Sequence, residues 1–556
     1  MQIRLIFFII LSLVIIMSYQ YIFLPKPEDL AKGEKKTAEG VIDKNKVLSP
    51  AEPVPEVREK LIKTLGSSYP EKGQPTAQDQ SIFIDTDLYQ AKFSKNRAVL
   101  KELVLKKYND KDGNRVKLIG KGEKEESPRT LDFVLTTNSS SPLSFTFDAD
   151  KKSLNLSKNE PKGIIKFTSF SADGVEIIKS FKFDNDSYLM DINIEVKNLK
   201  EAPADFSSQI ILGPHFYPGA DTVDSSSHFG PIVDFNNKVI REKPEKIKEP
   251  VIFSNGNVGW IGIESKYFLA SIMPEQKNFS GFMFNDKNKE SLVGLQSAKS
   301  KIESNGKLSQ SYKAYLGPKE FNELKAVKLE NAIDFGWFGI FGIPLLQALN
   351  FFNSYLKNYG LSIIVITLII KIFFIPFTQK SFKSMQAMQK LQPQIKALRE
   401  RYKKEPQKLN QETMELYKKN KVNPLGGCLP MVLQIPVFIA FYNVLLSSIE
   451  LRGAPFFLWI HDLSAKDPYY ITPIIMGITM FIQQKMSPTS PDPKQAQIML
   501  VMPVVFTFMF MSFPTGLVLY WTVNNLLTIG QQYLIMGKVS TKEGEEIKGK
   551  SKKKRA

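Results

Sequence analysis

The chain has 556 residues, 43% of them hydrophobic, and a formal net charge of +18, and it is too long for one ordinary domain. Its single cysteine, Cys428, excludes an internal disulfide, an iron–sulfur cluster and a Cys-rich zinc site, and its three histidines, His215, His228 and His461, show no metal-ligand spacing. The charge is segregated: eleven Lys/Arg against four Glu from Ser381 to Lys421, and eight against three from Lys538 to Ala556, account for +12 of the net +18.

Arg4 precedes an apolar run from Leu5 to Leu24 that ends in Tyr19, Tyr21 and Phe23. The run is longer than a signal-peptide core and has no clear small-residue cleavage site, so residues 1–24 read as an uncleaved signal-anchor helix with an aromatic belt at its outer end. No cysteine follows, which excludes lipoprotein processing. Residues 25–80 are rich in Lys, Glu, Pro and Gly with few aromatics, and read as a flexible tether.

From 81 to about 330 the pattern becomes short strands and turns, as in Ile82–Ile84, Leu131–Leu135 and Leu143–Phe147. Ile164–Phe170 and Val175–Phe183 read as a hairpin about Ser171-Ala172-Asp173-Gly174, and Tyr188–Val196 alternates apolar and polar residues. Asn255-Gly256 is a further hairpin signal. The region reads as a large β-sandwich. His215 and His228, with Asp221 and Asp224 between them, are its one cluster with acid–base potential, and a lone His near acids is more often structural. No catalytic residue is assigned, and the chain is not read as an enzyme.

Phe335–Phe341, FGWFGIF, with Leu345, Leu346 and Leu349, suggests an amphipathic helix lying in the membrane interface over 331–358; the alternative is the start of the next span. Residues 359–380, YGLSIIVITLIIKIFFIPFTQK, are long and apolar enough to cross a bilayer. They carry a cation, Lys371, whose burial costs about 2.5–3.5 kcal/mol on insertion scales. Lys371 lies about 12 Å from the far end of the span at 1.5 Å per residue, farther than a Lys stem reaches, so a wet cavity explains it better than snorkelling. Thr367 lies one turn earlier on the same face.

Residues 381–421 form a basic segment with an apolar stripe, Phe382, Met385, Met388, Leu391, Ile395, Leu398 and Tyr402. Pro393 is expected to kink this helix, Lys404-Glu405-Pro406 to turn the chain, and Leu409, Met414 and Tyr417 to continue on a second helix. This is a two-helix hairpin outside the bilayer. Its Met385, Met388 and Leu391 face is adaptable enough for a client or partner, or it only holds the two helices together. Residues 422–536 supply four more spans: Leu429–Leu446, Ile471–Gln483, and two within Ile498–Ile535, broken at Phe513-Pro514-Thr515-Gly516. On the last, Tyr520 and Asn524 share a face, and Asn525 is either part of that polar face or helix–helix glue.

Basic segments stay in the cytoplasm. That rule puts the hairpin, the loop 485–497 and both termini inside, and the β-domain and the loop 450–470 outside. The basic tail, 537–556, reads as disordered: a topology signal, or a binder of anionic lipid or ribosomal RNA. No GxxxxGK[ST] loop is present in the sequence.

Four stretches carry a family resemblance: KVNPLGGCLPMVLQIPVFIAFYNVL (421–445), ELRGAPFFLWIHDLSAKDPYYI (450–471), MFIQQKMSPTSPDP (480–493) and FPTGLVLYWTVNNLLTIGQQ (513–532). They closely resemble the YidC insertase family of Gram-negative bacteria, which has mitochondrial and chloroplast relatives. The dense match covers about 335–537. The resemblance implies a polytopic α-helical membrane protein with six transmembrane helices, five of them forming the insertase core, a large periplasmic β-sandwich domain and a cytoplasmic two-helix hairpin. It implies insertion and folding of integral proteins in the bacterial inner membrane, alone or with the Sec translocon. The implied client groove contains Lys371, Thr367, Gln434, Tyr520, Trp521 and Asn524. The family's common groove cation is Arg, and Lys keeps the charge but loses the planar donor fork. Implied partners are nascent membrane protein clients, the translocon, membrane lipids, and the ribosome through the tail or hairpin. DNA, metals and cofactors are not expected. A solute transporter and a sugar-processing envelope enzyme are the rival classes; the first lacks an internal repeat here and the second a convergent acid–base pair.

Overall fold

The computed structural model describes residues 80–553 apart from 111, 121–129, 138–141, 214–215, 217–226, 287–288, 337–338, 423–428 and 487–492. The signal anchor, the tether up to 79, His215, Asp221, Asp224, Cys428 and the last three residues lie outside this set. The described chain forms two compact units, one ending at Ala332 and one beginning at Ile333.

The first unit is built from three sheets rather than the two of a simple sandwich. A nine-stranded antiparallel sheet runs in the spatial order Lys238–Arg241, Gly230–Phe235, Val258–Glu264, Phe268–Pro274, Lys307–Pro318, Leu189–Asn198, Val175–Asp184, Lys162–Ser171, Asp148–Ala149. A five-stranded sheet packs on it through Phe93, whose ring centre is 4.9 Å from that of Phe181 and 6.2 Å from that of Phe167. In the six-stranded sheet, Ile211, Ile252, Phe282 and Leu292 form a second buried cluster. The alternation that marks a half-buried strand is plain in Val175–Asp184, where Val175, Ile177, Phe181 and Phe183 are all buried.

The expected hairpin of 164–183 is present, with Ser171 opposite Val175 and Gly174 at φ +68, a left-handed position that glycine adopts without steric cost. Two strand expectations are corrected. Leu143–Phe147 forms no ladder: Leu143 N donates to Leu135 O and Phe147 N to Asn96 O, two different neighbours. Asn255-Gly256 does not close a hairpin. Val251–Phe253 belongs to the six-stranded sheet and Val258–Glu264 to the nine-stranded one, so this turn carries the chain between layers. The tight hairpin turn is Asn236-Asn237, both at positive φ (53 and 60), between paired Phe235 and Lys238.

His228 is structural. Its Nδ1 lies 3.1 Å from Oε1 of Glu264, which is 1% exposed, and its Nε2 3.0 Å from the carbonyl of Glu242. Arg241 Nε (2.7 Å) and Lys319 Nζ (2.8 Å) complete the ring of donors around Glu264. Burial alone would push this carboxyl up, but Lys319, His228 and Arg241 hold it down at about 2.

The second unit is helical: α1 Phe321–Ala326 closes the first unit, and α2 Gly339–Leu356, α3 Tyr359–Arg401, α4 Pro406–Lys419, α5 Leu429–Ser447, α6 Ile471–Met486, α7 Pro493–Phe510 and α8 Thr515–Lys553 follow. Helix α2 buries Leu345, Leu346 and Leu349, as the sequence pattern requires, and exposes Ile340, Phe341, Phe351 and Tyr355. Its outer face is therefore apolar too. Among the described residues α3 alone is long and apolar enough by itself to cross a membrane; Leu433–Ser447 and Met499–Phe510 are shorter apolar stretches.

Two helix expectations are corrected. Helix α3 carries the span and the first arm of the expected hairpin as one continuous helix, with Pro376 and Pro393 inside it, where the sequence reading divides them at 380. Leu391 and Ile395, either side of Pro393, are buried with Val422, against Met388, Leu416 and Tyr417, and this packing keeps the segment helical. Helix α8 runs on to Lys553, so the tail backbone expected to be disordered is helical to that point. Elongating an anchored helix costs far less than nucleating one.

Candidate functional site

Lys371 lies three to four turns into α3, half-buried, and its ammonium turns toward α8. Nζ donates to Thr528 Oγ1 at 2.6 Å and to Asn524 Oδ1 at 3.4 Å. Both acceptors are neutral and sit one turn apart on α8, the spacing that puts side chains on one face. A turn further along, Gln531 Nε2 donates to Thr378 Oγ1 of α3 at 2.7 Å. Lys371 and Thr378 are seven apart, as are Asn524 and Gln531, so a polar ladder joins α3 to α8 along two turns. Asn525, one residue off this face, is buried and donates to Thr479 Oγ1 of α6 at 3.3 Å. Its role is therefore helix–helix glue.

Of the residues expected at the site, the structure brings Lys371 and Asn524 together. Thr367 is buried one turn before Lys371, and its hydroxyl donates to Ile363 O of its own helix at 2.6 Å. Tyr520 is fully buried and stacks on Phe441 of α5 at 4.2 Å. Trp521 lies among Phe438 of α5 (5.1 Å) and Phe510 of α7 (5.5 Å). The Tyr520 hydroxyl, Trp521 Nε1 and Gln434 Nε2 are buried without a hydrogen-bond partner among the described residues. On the α3–α4 pair, Leu391 is buried and Met388 packs against it, so both hold the two helices together; Met385 is half-buried.

The sequence alone does not single out Thr528, Thr378 or Gln531. The available signal is their spacing: Thr528 falls four and Gln531 seven residues after Asn524, and Thr378 seven after Lys371.

Chemically, the ladder offers a cation beside neutral dipoles. Among the described residues no group of three His, Cys, Asp or Glu side chains is placed to hold a metal ion.

Residues 351–543 match the family described as 60Kd inner membrane protein, and residues 81–348 the family described as YidC periplasmic domain. The chain is 42% identical over 537 residues to a membrane protein insertase YidC of Syntrophus aciditrophicus, covering 95% of this chain and 98% of that protein. It is 41% identical over 549 residues to a membrane protein insertase YidC of Geotalea daltonii, covering 96% and 99%. A solved structure, YidC from Thermotoga maritima, shares 14% identity with a TM-score of 0.32, covering 82% of this chain and 98% of that one.

Proposed function

The chain belongs to the YidC family of membrane protein insertases, and we propose that it inserts client proteins through a polar groove between α3 and α8 centred on Lys371. The observation that carries this reading is the company Lys371 keeps. Its hydrogen-bond partners, Thr528 and Asn524, are neutral, so they leave its charge available to an acidic segment of a client.

The physical task is to lower a barrier. A polar client tail crossing about 30 Å of hydrocarbon loses the hydration of its backbone and charges. A wet groove partway through the bilayer shortens that path, and a cation inside it offsets part of the cost for an acidic tail. The apolar helix of the client then leaves sideways into lipid, driven by its own burial. Gln434, Tyr520 and Trp521, which would widen the groove toward α5, carry buried donors without a partner among the described residues; a buried unmade hydrogen bond costs about 1–3 kcal/mol, which water or a client carbonyl there would offset.

The topology proposed is six spans, both termini and the α3–α4 arm in the cytoplasm, and the β-unit in the periplasm. It rests on the basic segments falling on one side of the spans. The Sec translocon is a proposed co-worker, and the ribosome a partner for the basic tail or the arm. Reconstitution of the pure protein into liposomes tests the core of this. A single-span client with an acidic tail should insert with the natural chain and with Lys371→Arg, and poorly with Lys371→Ala. Equal insertion by Lys371→Ala across several such clients refutes the groove cation.

A further inference from the structure

Leu458, in the loop between α5 and α6, is 83% exposed and lies at φ +56. Branched apolar residues avoid both conditions: the left-handed backbone crowds Cβ, and the side chain is bare to water. Phe457 beside it is 53% exposed. The turn is nevertheless well defined. Ile460 N donates to Phe457 O at 3.2 Å, and Phe456 N to Ile460 O at 2.9 Å. Its base is fixed, with Leu451, Ala454, Ile460 and Leu463 buried. A rigid base thus presents two apolar side chains outward.

What surrounds the tip says what covers it. Asn358 Nδ2, at the corner between α2 and α3, donates to Phe456 O at 3.2 Å, and the Phe456 ring lies so close to Gly360 that a Cβ there would collide with it. That corner exposes Tyr355 and Leu356, with Lys357 also exposed between them and α3. On its other side the loop leads through exposed Tyr469 and Tyr470 into α6, whose Ile471, Ile474, Ile475 and Ile478 are exposed in turn. Exposed apolar side chains thus stand at the tip, at the α2–α3 corner and along α6, with the exposed His461 and Lys466 in the loop between the tip and α6. Aromatic residues with a Lys at a helix end are the composition of the membrane–water interface.

We propose that the Phe457–Leu458 turn is a membrane-surface anchor, seated at the boundary between phospholipid headgroups and acyl chains. It is tied to the first residues of α3, and Lys371 lies about 20 Å further along that helix at 1.5 Å per residue. By holding the corner at the interface, the anchor sets the depth of Lys371 in the bilayer.

The test uses the full chain carrying Cys428→Ser and Leu458→Cys, labelled at position 458 with an environment-sensitive fluorophore. The protein is reconstituted into vesicles of phosphatidylcholine and phosphatidylglycerol. Nitroxide carried on shallow acyl positions should quench the label strongly and aqueous iodide weakly, with the order reversed for a label at the exposed Asp173 of the β-unit. Iodide quenching at 458 equal to that at 173 overturns the proposal. So does a label that is wet in these vesicles but shielded in native membranes, an outcome that assigns the tip to a protein partner. A second variant guards against disturbance by the label. Phe457→Ser with Leu458→Gly suits the turn's backbone and should shift the depth of a fluorophore at the exposed Ile369 of α3. An unchanged depth overturns the claim that the tip sets it.

Discussion

Lys179 gives the sharpest test of the β-unit. It occupies an inward position of Val175–Asp184 and is 1% exposed. Nζ donates to Ala98 O at 2.6 Å and Leu131 O at 3.2 Å, and lies over the rings of Phe147 and Phe181. Ala98 and Leu131 are both at positive φ (50 and 64), so the ammonium clamps two strained backbone positions. Burial pushes it down to about 8 from 10.5, opposed in part by Asp132. Because the folded value is the lower one, this contribution to stability is complete above 10.5 and is lost as pH falls through 8. Stability should therefore rise with pH from about 8, by about 2 kcal/mol at pH 9.5 and about 3 kcal/mol in full. The window closes near 10, where unfolded tyrosines ionise while Tyr89, Tyr312 and Tyr315, their hydroxyls raised by burial, do not. Those groups lower stability at higher pH. Trp260 is the one tryptophan in 80–332 and is buried, so its fluorescence follows urea unfolding of that unit at pH 7.5, 8.5 and 9.5. Lys179→Met removes about 3 kcal/mol of desolvation but strands two carbonyls at about 1–3 kcal/mol each. The level at pH 7 is thus nearly balanced and the slope is the diagnostic. A flat wild-type profile, or an undiminished rise in Lys179→Met, refutes the reasoning.

Glu264→Gln should destabilise the β-unit by about 3–5 kcal/mol, because it leaves Lys319 buried without its carboxylate. In the wild type the same carboxyl, held down at about 2, makes stability fall as pH drops from 4.5 toward 2, and an acid titration of the two proteins should show that loss only in the wild type. A Cβ on Gly477 would collide with the Thr507 side chain of α7, so Gly477→Ala should cost about 1–3 kcal/mol as a lowered melting temperature in detergent. Adding Thr507→Ala should recover most of that loss. Truncation after Gly537 removes eight Lys/Arg and should weaken ribosome binding with a shallower salt dependence, since a chain that neutralises fewer phosphates releases fewer counterions; unchanged affinity and slope would leave the tail a topology signal only.

The helices are legible in the sequence because their signal is local. Apolar runs of the right length mark α3 and α5, and Lys371 stands out because its neighbours are apolar. The partners of Lys371 are only half legible. Asn524 is conspicuous in an apolar helix, but Thr528 is not. Thr507 and Thr522 also sit in these helices and donate to their own backbones, as Thr528 does. Only the approach of α3 distinguishes it, and that is a tertiary fact. The β-unit shows the same limit. Asn255-Gly256 and Asn236-Asn237 are similar in local turn chemistry, yet only the second joins strands that pair, because pairing is decided by which sheet each strand enters. Lys179 interrupts an otherwise apolar inward row, and nothing near it in sequence shows that Ala98 and Leu131 supply its acceptors.

The two ends of the α3–α8 contact are held differently, and that bears on how a groove there works. At one end the loop after α5 ties both helices through backbone groups. Asn358 before α3 bonds Phe456 O, Thr515 N of α8 donates to Ala465 O at 2.7 Å, and Gly516 N to Leu463 O at 2.9 Å. Toward the other end the helices are joined by bonds between side chains, Lys371 with Thr528 and Thr378 with Gln531. Interhelical side-chain bonds of this kind average about 0.6 kcal/mol in a membrane, because the separated groups find other partners. At the helix starts three bonds, one from the Asn358 side chain and two from backbone N–H groups of α8, reach carbonyls of a single loop whose base is buried. Parting α3 from α8 thus breaks only side-chain bonds at the Thr378 end, but the ties of one shared loop to both helices at the Thr515 end. Lys371 belongs to the end of the contact that side chains hold.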